Sequence, residues 1–382
     1  MKKKKRILGV LIAILFSLVF TTGCQFLVFV DIFNDKTTEP PIMTTEPPIV
    51  TTEPPTTTTE PPVSVDTDEL SIHFLELGNR YTGDSVYIKI GDVDILVDAG
   101  SRKNSADDIA NYVDRYCTDG TLEYVIVTHA HQDHIAGFVG SSSVEGIFDR
   151  YVCETIIDFP RTNADSVIYE DYIEKRDAEV AAGAKHYTAL ECYDNENGAQ
   201  RVYELAENVT LEILYNYYYE NKSSNENEYS VCFLINQGNN HYLFTGDLES
   251  DGEKKLIELN NLPHCVLFKA GHHGSYTATS YALLDEITPE IVCVTCVCGS
   301  DEYTDDVDNM FPSQAFCSRV SAYTDRVYVT SIATDDDKGY ASLNGTIVVS
   351  SKGGEVSVSC SASDGLFKDS QWCLQHRDWG ES

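Results

Sequence analysis

The sequence predicts a mixed α/β fold in which two β-sheets pack face to face between layers of helices, an αββα sandwich. Three observations carry that expectation. Two sets of short apolar strands occur, each with helical stretches between them. One strand in each set ends abruptly in residue types that bind metals: Tyr124-Val125-Ile126-Val127 before His129, and His241-Tyr242-Leu243-Phe244-Thr245 before Asp247. The 382 residues, 42% of them hydrophobic, suffice for one large domain with appendages.

The appendages come first. Residues 2–6 are basic and residues 7–20 are apolar, and Thr21-Thr22-Gly23-Cys24 then resembles a bacterial lipoprotein cleavage box. An uncleaved membrane helix over residues 7–30 is the other reading. Either one makes residues 1–24 a signal or anchor and places the rest outside the cytoplasm. Residues 25–66 form a linker in which Thr-Thr-Glu-Pro-Pro starts at Thr37, Thr44, Thr51 and Thr58. A Pro-Pro pair every seventh residue forbids helix and sheet, leaving an extended stalk. About 26 such residues at roughly 3.1 Å each span up to ~80 Å.

The folded domain is expected over residues 67–360, with a tail at 361–382 to which no function is assigned. It opens with strands at 72–77, 85–90 and 94–100, a hairpin-rich start. His73 lies in the first of these and is expected to face solvent. Residues 105–117 read as a helix capped by Ser105, with Ile109, Tyr112, Val113 and Tyr116 on its apolar face. The strand 124–127 follows. Helix at 169–182, strands at 209–214, 231–236 and 241–245, and helix at 249–259 come next. Later strands are expected at 265–269, 290–298, 326–331, 345–350 and 355–360. Cys293, Cys296 and Cys298 fall inside one of them, where cysteine acts as a small apolar residue. Twelve cysteines leave disulfides open. The net charge of −34 excludes broad polyanion binding unless a local basic groove exists.

The densest chemistry follows the strand 124–127. His129 and His131 sit two apart, so on extended backbone both project to one side. Asp133 and His134 come where the chain turns into a helix, facing a second point. Two imidazoles for one ion, then a carboxylate and an imidazole for another, make a dinuclear zinc layout. The chain has ten histidines, and three fall within these six residues. Histidines scattered over a surface would not do this.

His-x-His-x-Asp-His after an apolar strand resembles the signature of the metallo-β-lactamase superfamily. Further blocks occur in one order over residues 70–358: Phe74 to Gly78, Gly83-Asp84-Ser85, Asp98-Ala99-Gly100, Asn227 to Ser230, Phe244 to Asp247, and Gly271 to Ser275. Together they look like the C-terminal hydrolase domain of ComEC-like competence proteins, with Asn79 to Thr82 added to the first block. The resemblance implies metal ligation by His129, His131, Asp133, His134, Asp247 and His272, with Asp247 bridging and Asp98 supporting the histidines. His272, nearer the strand end, is preferred over His273, which would ligate or contact substrate. The catalytic set is Asp133, Asp247 and His273. The resemblance also implies one more histidine between the central motif and Asp247. His186 and His241 lie there but read as surface residues, leaving Asn227 and Ser230 as unusual candidates.

The resulting expectation is a metal-dependent hydrolase holding two Zn²⁺ ions, with Mn²⁺ as the alternative metal. Its substrate would be a small-molecule or short nucleic-acid phosphodiester. The domain would be tethered outside a bacterial membrane, with no obligate protein partner. A β-lactam or lactone hydrolase, or a non-catalytic binding protein keeping the fold, is the alternative.

Overall fold

The computed structural model describes residues 69–334 and 339–380. The expected anchor and the linker, residues 1–66, lie outside the described residues. The domain begins with a meander of β1 (Leu70–Phe74), β2 (Val86–Ile90) and β3 (Val93–Val97). Helix α1 (Ser105–Val113) leads to β4 (Thr121–Ile126), α2 (Gln132–Val139) and α3 (Ile147–Arg150) to β5 (Val152–Asp158), and α4 (Val167–Ala182) to β6 (Lys185–Thr188). After α5 (Ala189–Asp194) a second meander runs through β7 (Val202–Ala206), β8 (Val209–Ile213), β9 (Phe233–Gln237) and β10 (Asn240–Phe244). Helix–strand alternation resumes with α6 (Ser250–Leu259), β11 (Leu267–Lys269), α7 (Tyr281–Ile287), β12 (Ile291–Cys298), α8 (Gln314–Val320) and β13 (Val327–Ala333). The chain closes with β14 (Tyr340–Ser342), β15 (Ile347–Lys352), β16 (Glu355–Cys360) and α9 (Gln371–His376).

Two eight-stranded sheets result, ordered β16-β15-β1-β2-β3-β4-β5-β6 and β14-β13-β12-β11-β10-β9-β8-β7. Each joins antiparallel hairpins to a run of parallel strands: β3 to β6 in the first sheet, β10 to β13 in the second. Parallel neighbours need crossover connections, usually helical, which explains the helix–strand alternation of those stretches. The sheets meet face to face: Phe74 of β1 stacks on Phe244 of β10 at 6.4 Å, and Phe244 stacks in turn on its cross-strand neighbour Phe233 at 4.6 Å.

The alternation of β12 shows how the sandwich is filled. Ile291 and Cys293 join the core between the sheets, whereas Val292 and Val294 join a second core with Leu256 of α6, Leu284 of α7 and Phe316 of α8. A strand buried on both faces reads as an unbroken apolar run, which is why Ile291–Cys298 carries so little polarity. Its cysteines are buried filler, and all eleven described cysteines are free thiols.

Several expectations need correction. His73 is 2% exposed, not solvent-facing, because its ring packs among Tyr87, Tyr112 and Tyr116 and bonds Tyr112 Oη at 2.8 Å. Ser105 does not cap α1. Asn104 holds that position, while the Ser105 hydroxyl is buried against Ser101 and Asn79. Strands β5, β7 and β14 and helices α3, α5, α7, α8 and α9 lie outside the expected elements; Val152 of β5 and Val202 of β7 are exposed, which blurs their period. The tail is not an appendage: Phe367 and Cys373 are buried in the second core, with Trp372 and Trp379 packed on it. Among the described residues no helix is long and apolar enough to cross a membrane.

Candidate metal centre

The chemistry gathers at the carboxyl ends of the parallel strands, where crossing connections leave a crevice. β3 delivers Asp98, whose left-handed backbone (φ 56) turns its carboxylate across the end of β4. There Asp98 accepts hydrogen bonds from Thr128 N and Thr128 Oγ1, both at 2.8 Å, and holds His134 Nδ1 at 2.8 Å. That fixes the chain leaving β4 and the tautomer of His134 together. His134 Nε2 then lies 3.2 Å from Asp247 Oδ2. His131 is the N-cap of α2, in extended conformation, and its Nδ1 meets His129 Nε2 at 3.0 Å. Gly137 lets α2 come in close: a Cβ there would sit 2.3 Å from Ala99 O.

The opposite wall comes from the second sheet. Gly246, at φ 53, turns the chain after β10 and presses against Thr128 and Ser230, leaving no room for a Cβ. Ser230 Oγ accepts the Asp247 N–H at 3.0 Å, so Ser230 sets the Asp247 backbone rather than acting as a ligand. After β11 the tandem His272-His273 adopts left-handed backbone at both residues, φ 45 and 53. This strained geometry throws both rings toward Asp247. His273 Nε2 lies 3.3 Å from Asp247 Oδ2 and 3.5 Å from Asp133 Oδ2. His272 Nε2 and His129 Nε2 each lie 3.9 Å from that same Asp247 oxygen. Four imidazoles therefore converge on one carboxylate oxygen.

The structure brings both tandem histidines to the cluster: His273 is 1% exposed and sits inside it, whereas His272, at 22%, stands at its rim. His186 pairs with Asp158 and His241 with Asn236, outside the cluster.

Sequence reasoning missed Asp84, Lys269, Glu249 and Tyr303. Asp84 Oδ2 is 2.5 Å from Lys269 Nζ, and Asp84 Oδ1 is 3.1 Å from His273 Nδ1 and takes the Thr295 hydroxyl. Its position in the Gly83-Asp84-Ser85 block was the available signal. Ligand-type atoms of Asp84, His134, Asp247 and His273 all lie within 4.8 Å of one another. Thr295 O holds His273 Nδ1 at 2.9 Å, and Asp84, its two oxygens engaged from behind, lies beside that nitrogen and balances the buried Lys269. Tyr303 donates to Asp133 Oδ2 at 2.8 Å.

The electrostatics follow from this packing. Burial disfavours the charged forms of His134 and His273, yet Asp247 with Asp98, and Asp247 with Asp84, hold both well above the ordinary imidazole value. Burial would raise Asp247 and Asp133, but neighbouring histidines, His273 foremost, keep both carboxyls low. His129 is pushed well below its ordinary value, first by burial and then by His134. The cluster thus offers ionised carboxylates facing imidazoles whose protons a cation would displace. Asp247 Oδ1 and His273 Nε2 are buried without a hydrogen-bond partner. Such orphaned atoms, in a set of imidazole and carboxylate donors, fit divalent zinc or manganese.

A cleft of ≈ 800 Å³ opens over the cluster, lined by Arg80, Tyr81, Arg102, His131, Asp133, His272 and Tyr303 among others. Residues 78–146, which carry Asp98 and the His129–His134 motif, match the model of the Metallo-beta-lactamase superfamily. The chain carries a metallo-β-lactamase superfamily segment. The buried cluster that this segment helps build is a set of imidazole and carboxylate donors suited to divalent metal. Recombination protein 2 of Haemophilus influenzae is 34% identical over 70 residues, which are 18% of this chain and 9% of that protein. The match thus spans under a tenth of the relative. Among solved structures, the metallo-beta-lactamase fold protein YhfI from Bacillus subtilis aligns with a TM-score of 0.39 at 15% identity, over 71% of this chain and 98% of that one. A diphosphatase from the PhnP family aligns with a TM-score of 0.31 at 10% identity, over 59% and 86%.

Proposed function

We propose that this protein is a metal-dependent hydrolase that cleaves phosphodiesters, small or in short single-stranded nucleic acid, while tethered outside a bacterial membrane by residues 1–66. The convergence of four imidazoles on Asp247 Oδ2, with Asp247 Oδ1 and His273 Nε2 left unpartnered, carries the hydrolytic part of the reading. His129, His131, Asp133, His134, Asp247 and the two histidines after β11 would hold two divalent ions, which when bound supply Lewis-acid polarisation and an acidified water.

The protein's own groups supply the rest. Asp133 lies at the floor of the cleft, with its Oδ2 shared between His273 and the Tyr303 hydroxyl. Burial, and then the Asp133 charge, hold the Tyr303 phenol above its ordinary value, so it remains a proton donor at the mouth of the site. A donor there suits a leaving oxygen that must take up a proton. The cleft walls, which set Asp301 and Glu302 beside two arginines, suit a ring-bearing substrate with few phosphates rather than a polyanion. A chain of net charge −34 places Arg80 and Arg102 at this lip, with the faces of Tyr81 and Tyr303 beside them. Aromatic walls with cationic edges are the usual means of holding unpaired bases and their phosphates. Arg102 itself is stacked on Tyr81 at 3.8 Å and tied to Glu302 at 2.7 Å. The acidic surroundings oppose long-range capture of long polyanions, which points to short substrates.

The test is hydrolysis of bis(p-nitrophenyl) phosphate and of single-stranded oligonucleotides by Zn²⁺- or Mn²⁺-loaded protein, beside a chromogenic cephalosporin. Diester cleavage exceeding cephalosporin turnover is expected. Fast cephalosporin turnover with no diester cleavage would reverse the assignment.

A further inference from the structure

One lip of the cleft draws its support from the tail. Between β12 and α8 the chain runs from Gly299 to Ser313 without a helix or strand. A stretch this long without regular structure is uncommon in a compact domain. It carries Ser300, Asp301, Glu302 and Tyr303 of the cleft wall. Its Phe311 ring lies 5.8 Å from both His272 and His273 and 5.4 Å from Tyr303. Asp301, Glu302, Asp305, Asp306 and Asp308 give it five like charges that repel one another. Its own backbone supplies a bond from Gly299 N to Phe311 O at 2.8 Å, and two onto Asp306 O from Asn309 and Met310. Such a loop needs holding from outside.

The tail holds it. Arg377, 7% exposed, donates from Nε to Pro312 O at 2.8 Å, and from Nη2 to Val307 O at 2.9 Å and Met310 O at 2.8 Å. Its Nη1 turns back to His376 O at 2.7 Å. One guanidinium thus gathers three carbonyls of the loop, a use suited to its planar fork of donors. A buried charge is costly unless its donors are met, so the carbonyls secure the arginine as much as it secures them. The guanidinium also lies over the Trp372 ring at 4.3 Å. That indole packs against the first residue of the loop: a Cβ on Gly299 would sit 2.4 Å from Trp372 Nε1. Just past the loop, Gln314 and Asp378 exchange two hydrogen bonds of 2.8 Å. The loop's last residue reaches the histidine turn directly, since Ser313 N and Oγ donate to Gly274 O at 2.9 and 3.1 Å.

We infer that the C-terminal tail is a strap for the cleft lip, with Arg377 as the positioning residue that keeps Phe311 against the tandem histidines and Tyr303 on Asp133. Arg377 does not line the cleft, so it acts only through the loop. The catalytic consequence rests on the hydrolase reading, whereas the bracing itself does not.

Hydrogen exchange of the metal-free full-length chain and kinetics of the zinc-loaded one test it together. Arg377→Ala should speed exchange of the Gly299, Asn309 and Met310 amides at least about tenfold and leave those of β4 and β9 unmoved. Added methylguanidine, which fits the vacated space, should restore their protection. Arg377→Lys, whose ammonium cannot span three carbonyls, should be protected only in part; it carries the same comparison if Arg377→Ala does not fold. Zinc content should be unchanged, and kcat toward bis(p-nitrophenyl) phosphate should fall about 3- to 10-fold. Adding Tyr303→Phe should then cost little more, because the phenol has already lost its place. Unchanged exchange in the loop would overturn the strap. Losses that multiply in the double variant would overturn the positioning of Tyr303. Faster loop exchange in Arg377→Ala, with no hydrolysis by the unmodified protein, would uphold the strap and contradict the hydrolase reading.

Discussion

The junction after β4 and the junctions after β10 and β11 build facing walls of one centre by different means. After β4, a single run from His129 to His134 supplies three rings and a carboxylate, on ordinary extended and helical backbone. Asp98 on the neighbouring strand β3 secures it. Across the crevice, Asp247 and the tandem histidines come from two separate junctions, and the backbone at His272 and His273 is left-handed. Asp84, which stands behind His273, comes from the first sheet, whereas Glu249, 3.3 Å from His272 Nδ1, follows closely on Asp247. The first wall is therefore set largely by local sequence, and the second by docking of the two sheets.

Removing the carboxylate common to both walls should have the largest effect. Asp247→Ala is expected to abolish binding of both ions and lower hydrolysis by about 10³-fold or more, read by metal analysis and steady-state kinetics. Next in size is the ion pair behind the second wall. Lys269→Met leaves Asp84 buried and uncompensated, at a cost of about 3–5 kcal/mol in urea unfolding of the metal-free protein. The double variant with Asp84→Asn should recover most of that loss, since neither residue then carries a charge. A Lys269→Met protein as stable as the unmodified one would show that the second wall does not depend on sheet docking.

Asp98→Asn probes the first wall. It should leave the fold intact and weaken zinc binding about 10- to 100-fold, a change confined to the ion held by His134. An equal loss at both ions would contradict the division of labour between the walls.

A smaller effect concerns pH. Burial, and then Glu249, Asp251 and Glu253, push the Glu228 carboxyl up to about 8. The folded state favours its neutral form, so stability is greatest at low pH and declines as pH rises from the ordinary carboxylate range through about 8. Glu228→Gln should remove that decline, adding about 1–2 kcal/mol at pH 8.5 and little at pH 5, measured by chemical unfolding in chelator. Equal shifts at both pH values would rule out titration as the cause. Tyr303→Phe should be the mildest change, lowering kcat about 3- to 10-fold without loss of metal.

The same contrast accounts for what the sequence disclosed. The first wall was legible because its ligands share one strand-to-helix junction, where spacing alone fixes direction. Asp98 and Asp247 were legible for the same reason, each standing directly after an apolar strand. The relation of His272 to His273 was not, since it turns on two positive φ values that no local pattern announces. Glu249 and Lys269 look like any charged residue at the start of a helix or the end of a strand. The pairing of β10 with β11 brings Glu249 to His272, and the approach of the two sheets brings Lys269 to Asp84. Tyr303 and the added Tyr81 acquire their places through loops that meet across the cleft.

The central claim is that one buried carboxylate is shared by two metal positions. Anomalous diffraction from crystals of the zinc-loaded protein, collected on both sides of the zinc edge, tests it most directly. Two peaks about 3.5–4 Å apart, flanking Asp247, are the predicted result. A single peak, or none within reach of Asp247, would contradict it.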